Sequence, residues 1–414
     1  MKMLESMKKP ELLAPVGDFE RLEAAIRYGA DAVYLGSTEF GMRAASANFG
    51  PEMLKKAVEY AHAHKVKVYL TCNTLPRNEE ISRMPEFLRE AGQIGVDAFI
   101  VTDIGVLSMV KENVPDAEIH ISTQTGIVNY RAALEFWKLG AKRVVLAREL
   151  SLQEIREIRA KTPPELELEV FVHGAMCMSF SGRCLLSNYM ANRDANRGQC
   201  AQPCRWNYRL VEEKRPGQYF PIFEDETGSY ILNAKDLCMI EHLNEVIEAG
   251  ATSLKIEGRA KSSYYVSVVT NAYRIALDEY LENPDNWKCP AWLSEEVRKV
   301  SHRDYSTGFF YGRPEQGQRY ENGGYIRDWD IVAIVDRWEN GKAYCRQKNK
   351  FFVGDTLELL VPGKQPESIK VEQLWNAAGE EMPDTRYANE PFSFPFPHAI
   401  PSGAILRKQA NETE

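Results

Sequence analysis

The feature that most constrains this chain is an alternation of strand-like and helix-like segments over residues 10–283. Apolar runs that read as buried parallel strands fall at 11–16, 31–35, 66–72, 97–102, 118–122, 142–147, 166–173 and 253–257. Amphipathic helical patterns follow at 18–29, 51–64, 79–94, 104–113, 127–139, 151–161, 236–249 and 262–283. Asp18 stands where a helix N-cap belongs. Gly29, Gly95, Gly140 and Gly250 each close a helix just before the next strand, as a left-handed C-cap requires. Eight such units within about 275 residues predict an α/β fold, a (β/α)8 TIM-type barrel, with an open doubly wound sheet as the competing arrangement.

One unit departs from the pattern. Between strand seven and its helix lies a Cys-rich insertion, residues 174–235, also rich in Asn, Arg and Gly. Barrel folds place their chemistry in loops at that end of the strands. The barrel is thus expected to occupy 1–283, with a linker at 284–330. Short alternating strands from 331 to 414 predict a small C-terminal all-β barrel domain.

Composition narrows the classes further. The 414 residues are 44% apolar and 27% charged, the values of an ordinary globular protein. No apolar run reaches the ~20 residues that span a bilayer. The opening MKMLESMKKPELL lacks the apolar stretch of a signal peptide, so a cytoplasmic location is expected. A net charge of −8 argues against a surface coated throughout for nucleic acid, although it allows a local basic patch.

Three groups of residues point to chemistry. Cys177, Cys184, Cys200 and Cys204 fall within 28 residues of the insertion, interleaved with Gly182 and Gly198. Such thiols bind zinc or an iron–sulfur cluster, and the absence of CxxC knuckles favours the cluster. Cys238, opening the next helix, competes for one ligand position; buried structural thiols are the alternative to a metal site.

Strand seven supplies the second group. Period-2 alternation puts Glu167, Glu169, Phe171 and His173 on the inward face, and Lys255 and Glu257 of strand eight likewise point inward. Charges inside a barrel are costly unless paired, so Glu169, His173, Lys255 and Glu257 are candidate catalytic groups. A purely structural Glu169–Lys255 ion pair is the competing reading. Asn73, Gln124, Arg148 and Arg259 at strand ends complete a polar floor whose arginines suit a small anion.

The third group is basic. Residues 181–209 hold five arginines, Arg193, Arg197 and Arg205 among them, against the single acid Asp194. Tyr189, Trp206 and Tyr208 lie between them, a mixture that suits phosphate contact and base stacking on RNA. A solvated loop whose arginines cap carbonyls is the plainer alternative. HExxH, GxSxG, GxGxxG and P-loop signatures are absent from the sequence.

The run Glu169-Val-Phe-Val-His-Gly-Ala-Met-Cys177-Met-Ser-Phe-Ser-Gly-Arg-Cys184-Leu-Leu-Ser187 resembles the signature of the collagenase-like peptidase family U32. Asn196-Arg-Gly-Gln-Cys200-Ala-Gln-Pro-Cys204-Arg205, Lys235-Asp-Leu237 and Ser253-Leu-Lys-Ile-Glu-Gly-Arg259 extend the match, as do Leu12-Leu-Ala-Pro-Val-Gly17 and Gly29-Ala-Asp-Ala-Val-Tyr-Leu-Gly36. Within that family the chain is most similar to the branch of tRNA 5-hydroxyuridine synthases. The resemblance implies hydroxylation of the wobble uridine of tRNA, with prephenate as co-substrate and a 4Fe-4S cluster. It maps Cys177, Cys184 and Cys200 onto cluster ligands, with Cys204 preferred over Cys238 as the fourth. The family's name also implies the alternative of a peptidase, for which only Cys177 near His173 offers a nucleophile with a base. A non-enzymatic scaffold carrying a cluster is a third reading.

Overall fold

A computed structural model describes residues 9–41, 48–176, 186–191, 193, 201, 223–225, 228–230, 235–312 and 325–410. Eight parallel strands close into a barrel: β1 (Glu11–Pro15), β2 (Ala32–Gly36), β3 (Lys67–Cys72), β4 (Ala98–Val101), β5 (Glu118–Ile121), β6 (Arg143–Val145), β7 (Glu167–Gly174) and, after the insertion, β11 (Ser253–Ile256). Closure is direct, because β11 pairs in parallel with both β1 and β7. The arrangement is the TIM-type barrel, and the open sheet is ruled out. Gly29, Gly95, Gly140 and Gly250 all carry positive φ, as their capping role demands.

Between β7 and β11 the described residues include the hairpin β8 (Phe223–Asp225) and β9 (Gly228–Tyr230) and the short strand β10 (Asp236–Cys238). The helical pattern at 236–249 is therefore corrected: it opens as a strand, and the helix proper covers Leu243–Glu248. The reason is tertiary. β10 pairs antiparallel with the end of β7, Leu237 opposite Gly174, and parallel with β12 (Tyr305–Ser306). A buried Asp236–Arg303 ion pair at 2.9 Å fixes that side. The two ends of the insertion are thereby clamped together at the C-terminal mouth of the barrel. Gly174 is required at the clamp, since its φ is +108° and a Cβ would lie 2.4 Å from the Glu257 carbonyl oxygen.

The stretch expected to link the domains carries a helix, Ala291–Glu296, and buries Leu293, Val297, Val300 and Phe310 in the barrel's apolar layer. Beyond it, β13 (Trp329–Glu339), β14 (Lys342–Gln347), β15 (Thr356–Leu360), β16 (Glu367–Lys370), β17 (Trp375–Asn376), β18 (Pro391–Pro395) and β19 (Ile405–Gln409) form one antiparallel half-barrel sheet. Its order is β16-β15-β19-β13-β14-β18-β17. The sheet has its own core, including Val335, Cys345, Phe351, Phe392 and Phe394. It docks on the barrel through Arg407, which is buried and pairs with Glu296 at 2.6 Å and Glu358 at 2.8 Å. No helix among the described residues is long and apolar enough to cross a membrane.

Candidate functional site

The barrel lumen holds two polar layers. At the N-terminal end, Arg143 opens β6 and reaches three carboxylates: Glu11 at 2.6 Å, Glu167 at 2.6 Å and Glu169 at 3.0 Å. Lys255 bonds the other oxygen of Glu169 at 2.6 Å and lies 4.4 Å from the Tyr34 ring centroid. Burial alone would raise the Glu169 pKa. Lys255 and Arg143 outweigh burial and hold it down at about 2. Glu169 and Lys255 are thus brought together in one ion-pair layer, and the Phe171 ring separates it from the C-terminal mouth, with Lys255 5.4 Å and Arg148 3.8 Å from its centroid.

His173 departs from the alternation. β7 and β11 pair in step as far as Phe171 opposite Lys255, but Ile256 then faces His173, so Val172 is an extra residue. The bulge turns the imidazole out of the lumen and against the helix Ser263–Glu282. Its ring centroid lies 6.0 Å from Tyr265, 5.5 Å from Tyr273 and 5.2 Å from Tyr305. Burial, and then the positive fields of His302 and Lys261, lower its pKa to about 3. The expectation of an inward-pointing His173 is corrected accordingly.

The C-terminal mouth collects the remaining candidates. Arg148 stacks 3.8 Å over the Phe171 ring, donates to the Ala175 carbonyl at 2.6 Å and pairs with Glu257 at 3.2 Å. Its Nε is buried and meets no acceptor among the described residues. Arg259 is buried, donating to Asn48 Oδ1 at 2.7 Å and to Thr71 Oγ1 at 3.4 Å. Gly36 lets that guanidinium pass, because a Cβ there would lie 2.2 Å from it. Asn73 follows β3, and its carbonyl accepts from Thr102 at 3.1 Å. Gln124 sits half-buried in the turn Thr123–Thr125 after β5. The mouth therefore brings the guanidinium groups of Arg148 and Arg259 and the Glu257 carboxylate to strand ends, with Asn73 and Gln124 in the adjoining turns.

Cys177 follows directly on Met176 at the end of β7, and it, Cys184, Cys200 and Cys204 lie outside the described residues, as do Arg197 and Arg205. Arg193 is exposed. Cys238 is described: its sulfur lies 4.0 Å from the Tyr273 hydroxyl, and burial pushes its thiol up to about 11. Among the described residues no group of three or more His, Cys, Asp or Glu is placed to hold a metal. The sequence reading does not reach Arg143, although Glu11 and Glu167 at strand starts share the inward phase of Glu169.

The model of peptidase family U32 matches residues 17–320, and that of the U32 C-terminal domain matches 327–407. The chain belongs to peptidase family U32. It is 37% identical over 405 residues to tRNA hydroxylation protein P1 of Bacillus subtilis (strain 168), covering 97% of this chain and 95% of that one. Identity to tRNA hydroxylation protein P of Escherichia coli (strain K12) is 37% over 420 residues, with 91% of each chain covered. A U32 relative under a different name is the collagenase of Porphyromonas gingivalis (strain ATCC BAA-308 / W83). It is 37% identical over 325 residues, covering 76% of this chain and 77% of that one.

Proposed function

We propose that this U32 protein is an enzyme that hydroxylates tRNA. The observation that carries the proposal is similarity along nearly the whole chain, C-terminal sheet included, to proteins named for tRNA hydroxylation. The finer reading is that the wobble uridine becomes 5-hydroxyuridine, with prephenate as co-substrate. A dicarboxylate suits the mouth, where the guanidinium groups of Arg148 and Arg259 follow strand ends and the buried Nε of Arg148 meets no acceptor among the described residues.

Cys177, Cys184, Cys200 and Cys204 would hold a 4Fe-4S cluster, since four thiols in one segment clamped at the barrel mouth are a donor set of the right chemistry. Bound there, the cluster supplies one-electron chemistry. Cys238 fits the role less well, because its sulfur lies against Tyr273 of the outer helix. Arg193, Arg197 and Arg205 would meet the tRNA backbone. The peptidase reading has the collagenase relative in its favour. Against it, the His173 ring is turned out of the lumen and is too weak a base to activate Cys177 near neutral pH.

The test is anaerobic purification followed by incubation with unmodified tRNA, with and without prephenate, and nucleoside mass spectrometry. 5-Hydroxyuridine that forms only with prephenate is the expected result; peptide hydrolysis without any hydroxylated nucleoside would overturn the proposal. Iron and sulfide assays on Cys204→Ala and Cys238→Ala decide the fourth ligand. Loss of the cluster in the first alone is expected, and loss in the second alone would transfer the role to Cys238.

A further inference from the structure

The outer face of the C-terminal sheet is divided between two uses. Across one row, Leu360, Ile405, Ile334 and Arg346 are register partners on β15, β19, β13 and β14. Leu360 and Ile405, at one end of that row, belong to the barrel's core. This half of the face is the docking surface. The next row runs Arg337, Tyr344, Ser393, Trp375 across β13, β14, β18 and β17. The intervening residues Ala343, Cys345, Phe392 and Phe394 point into the sheet's own core, so this row stands on the opposite, outer side.

What the open half displays is specific. The Arg337 guanidinium lies 4.0 Å over the Tyr344 ring, and the Lys342 ammonium lies 3.9 Å over the Trp375 ring. Both residues are half-buried and stand two strands apart on the sheet, hence about 10 Å from each other. Arg337 has Glu339 at 3.5 Å and Arg346 has Asp336 at 2.8 Å, whereas Lys342 pairs with no carboxylate among the described residues. Two aromatic rings, each with a long cationic side chain over it, offer the stacking and phosphate-binding groups that a single strand uses.

We propose that Tyr344 and Trp375, with Arg337 and Lys342, form a platform on which unpaired bases of the tRNA substrate stack. The proposal rests on the tRNA reading above and assigns the C-terminal sheet a share of substrate binding. The sheet is then built to grip RNA with the half of its face that the barrel leaves uncovered.

Fluorescence anisotropy with tRNA, and separately with a uridine-rich single strand, tests the platform across a salt series. Tyr344→Ala/Trp375→Ala is expected to weaken both affinities at least tenfold while leaving the salt slope alone. Tyr344→Phe/Trp375→Phe should restore binding, and matching thermal melts exclude misfolding. Arg337→Gln/Lys342→Gln should lower the slope of log K against log salt by about 1.4, the release expected from two single-strand phosphates. Unchanged affinity in the alanine variant, or in the glutamine variant should the alanine variant not fold, overturns the platform; so does a wild type that binds no RNA. Loss of self-association with RNA binding intact would reassign the face to a second copy of the chain. Hydroxylation by the wild type is scored independently. RNA binding that depends on the platform without any hydroxylation leaves the platform standing and removes the tRNA-hydroxylation reading.

Discussion

The two mouths of the barrel use the same residue types to opposite ends. Towards the N-terminal mouth, Arg143 is shared among Glu11, Glu167 and Glu169, and Lys255 bonds the other oxygen of Glu169. At the C-terminal mouth, Arg148 shares one carboxylate and one carbonyl and retains a buried nitrogen without an acceptor among the described residues. Arg259 stands beside it on the same rim, donating to Asn48 and Thr71 among its contacts. A charge that is fully answered inside the protein holds the fold, whereas one such as Arg148, with a buried donor unanswered among the described residues, is poised for something from outside. Barrels separate stability from catalysis along their axis in this way.

Removing Arg143 should break the comparison at its stronger end. Arg143→Ala leaves three carboxylates facing one another beside a single lysine, and losing one partner of a buried ion-pair network costs about 3–5 kcal/mol. Urea unfolding of the wild type and variant measures it. A loss under about 1 kcal/mol would show that the layer is wet enough to solvate its own acids.

Much of this division is readable in the sequence, for local reasons. The barrel shows itself because apolar runs and capping glycines repeat within each unit. Glu169 and Lys255 are found because they sit on strands long enough to display period 2. Arg143 escapes because the run behind it, Val144-Val145-Leu146-Ala147, is apolar throughout and shows no period-2 phase. His173 is assigned to the wrong side because the extra residue before it is set by pairing with β11, far along the chain. Residues 236–238 carry a helical pattern, yet their strand partners are β7 and the distant β12. Cys177, Cys184, Cys200 and Cys204 are legible only as a spacing and lie outside the described residues.

At the other mouth the expected signature is reversed. Arg148→Ala and Arg259→Ala should each weaken prephenate-dependent turnover by about 1.5–3 kcal/mol, the worth of a hydrogen bond to a charged group. The loss should appear as a raised KM for prephenate. Steady-state kinetics at limiting and saturating prephenate, run beside melting curves, separate the two ends. Wild-type KM in both variants would place the dicarboxylate elsewhere, and a fall in stability as large as that of Arg143→Ala would make both mouths structural.

His173 gives the finest test, because it stands at the catalytic end of β7 while its surroundings are structural. Its pKa falls from the ordinary 6.5 to about 3, chiefly through burial, with the positive fields of His302 and Lys261 adding to it. A base whose native pKa is depressed contributes stability above its unfolded pKa and loses it on acidification, since the unfolded chain takes up the proton first. The loss therefore starts near pH 6.5 and continues towards pH 3, amounting to about 1 kcal/mol between pH 6.5 and 5.5. Glu169, with its pKa held at about 2, adds its own loss only below about pH 4.5, so the stretch from pH 6.5 to 5.5 is free of it. His120 and His302 are also lowered by burial and contribute to the upper window. Only the His173 share should vanish in His173→Gln. Denaturant unfolding of both proteins at pH 7, 6.5 and 5.5 reads the difference directly: the variant's stability should fall more shallowly. Parallel lines for the two proteins would mean that the imidazole is already solvated in the native state, and that the tyrosine-lined site beside the outer helix is open to water.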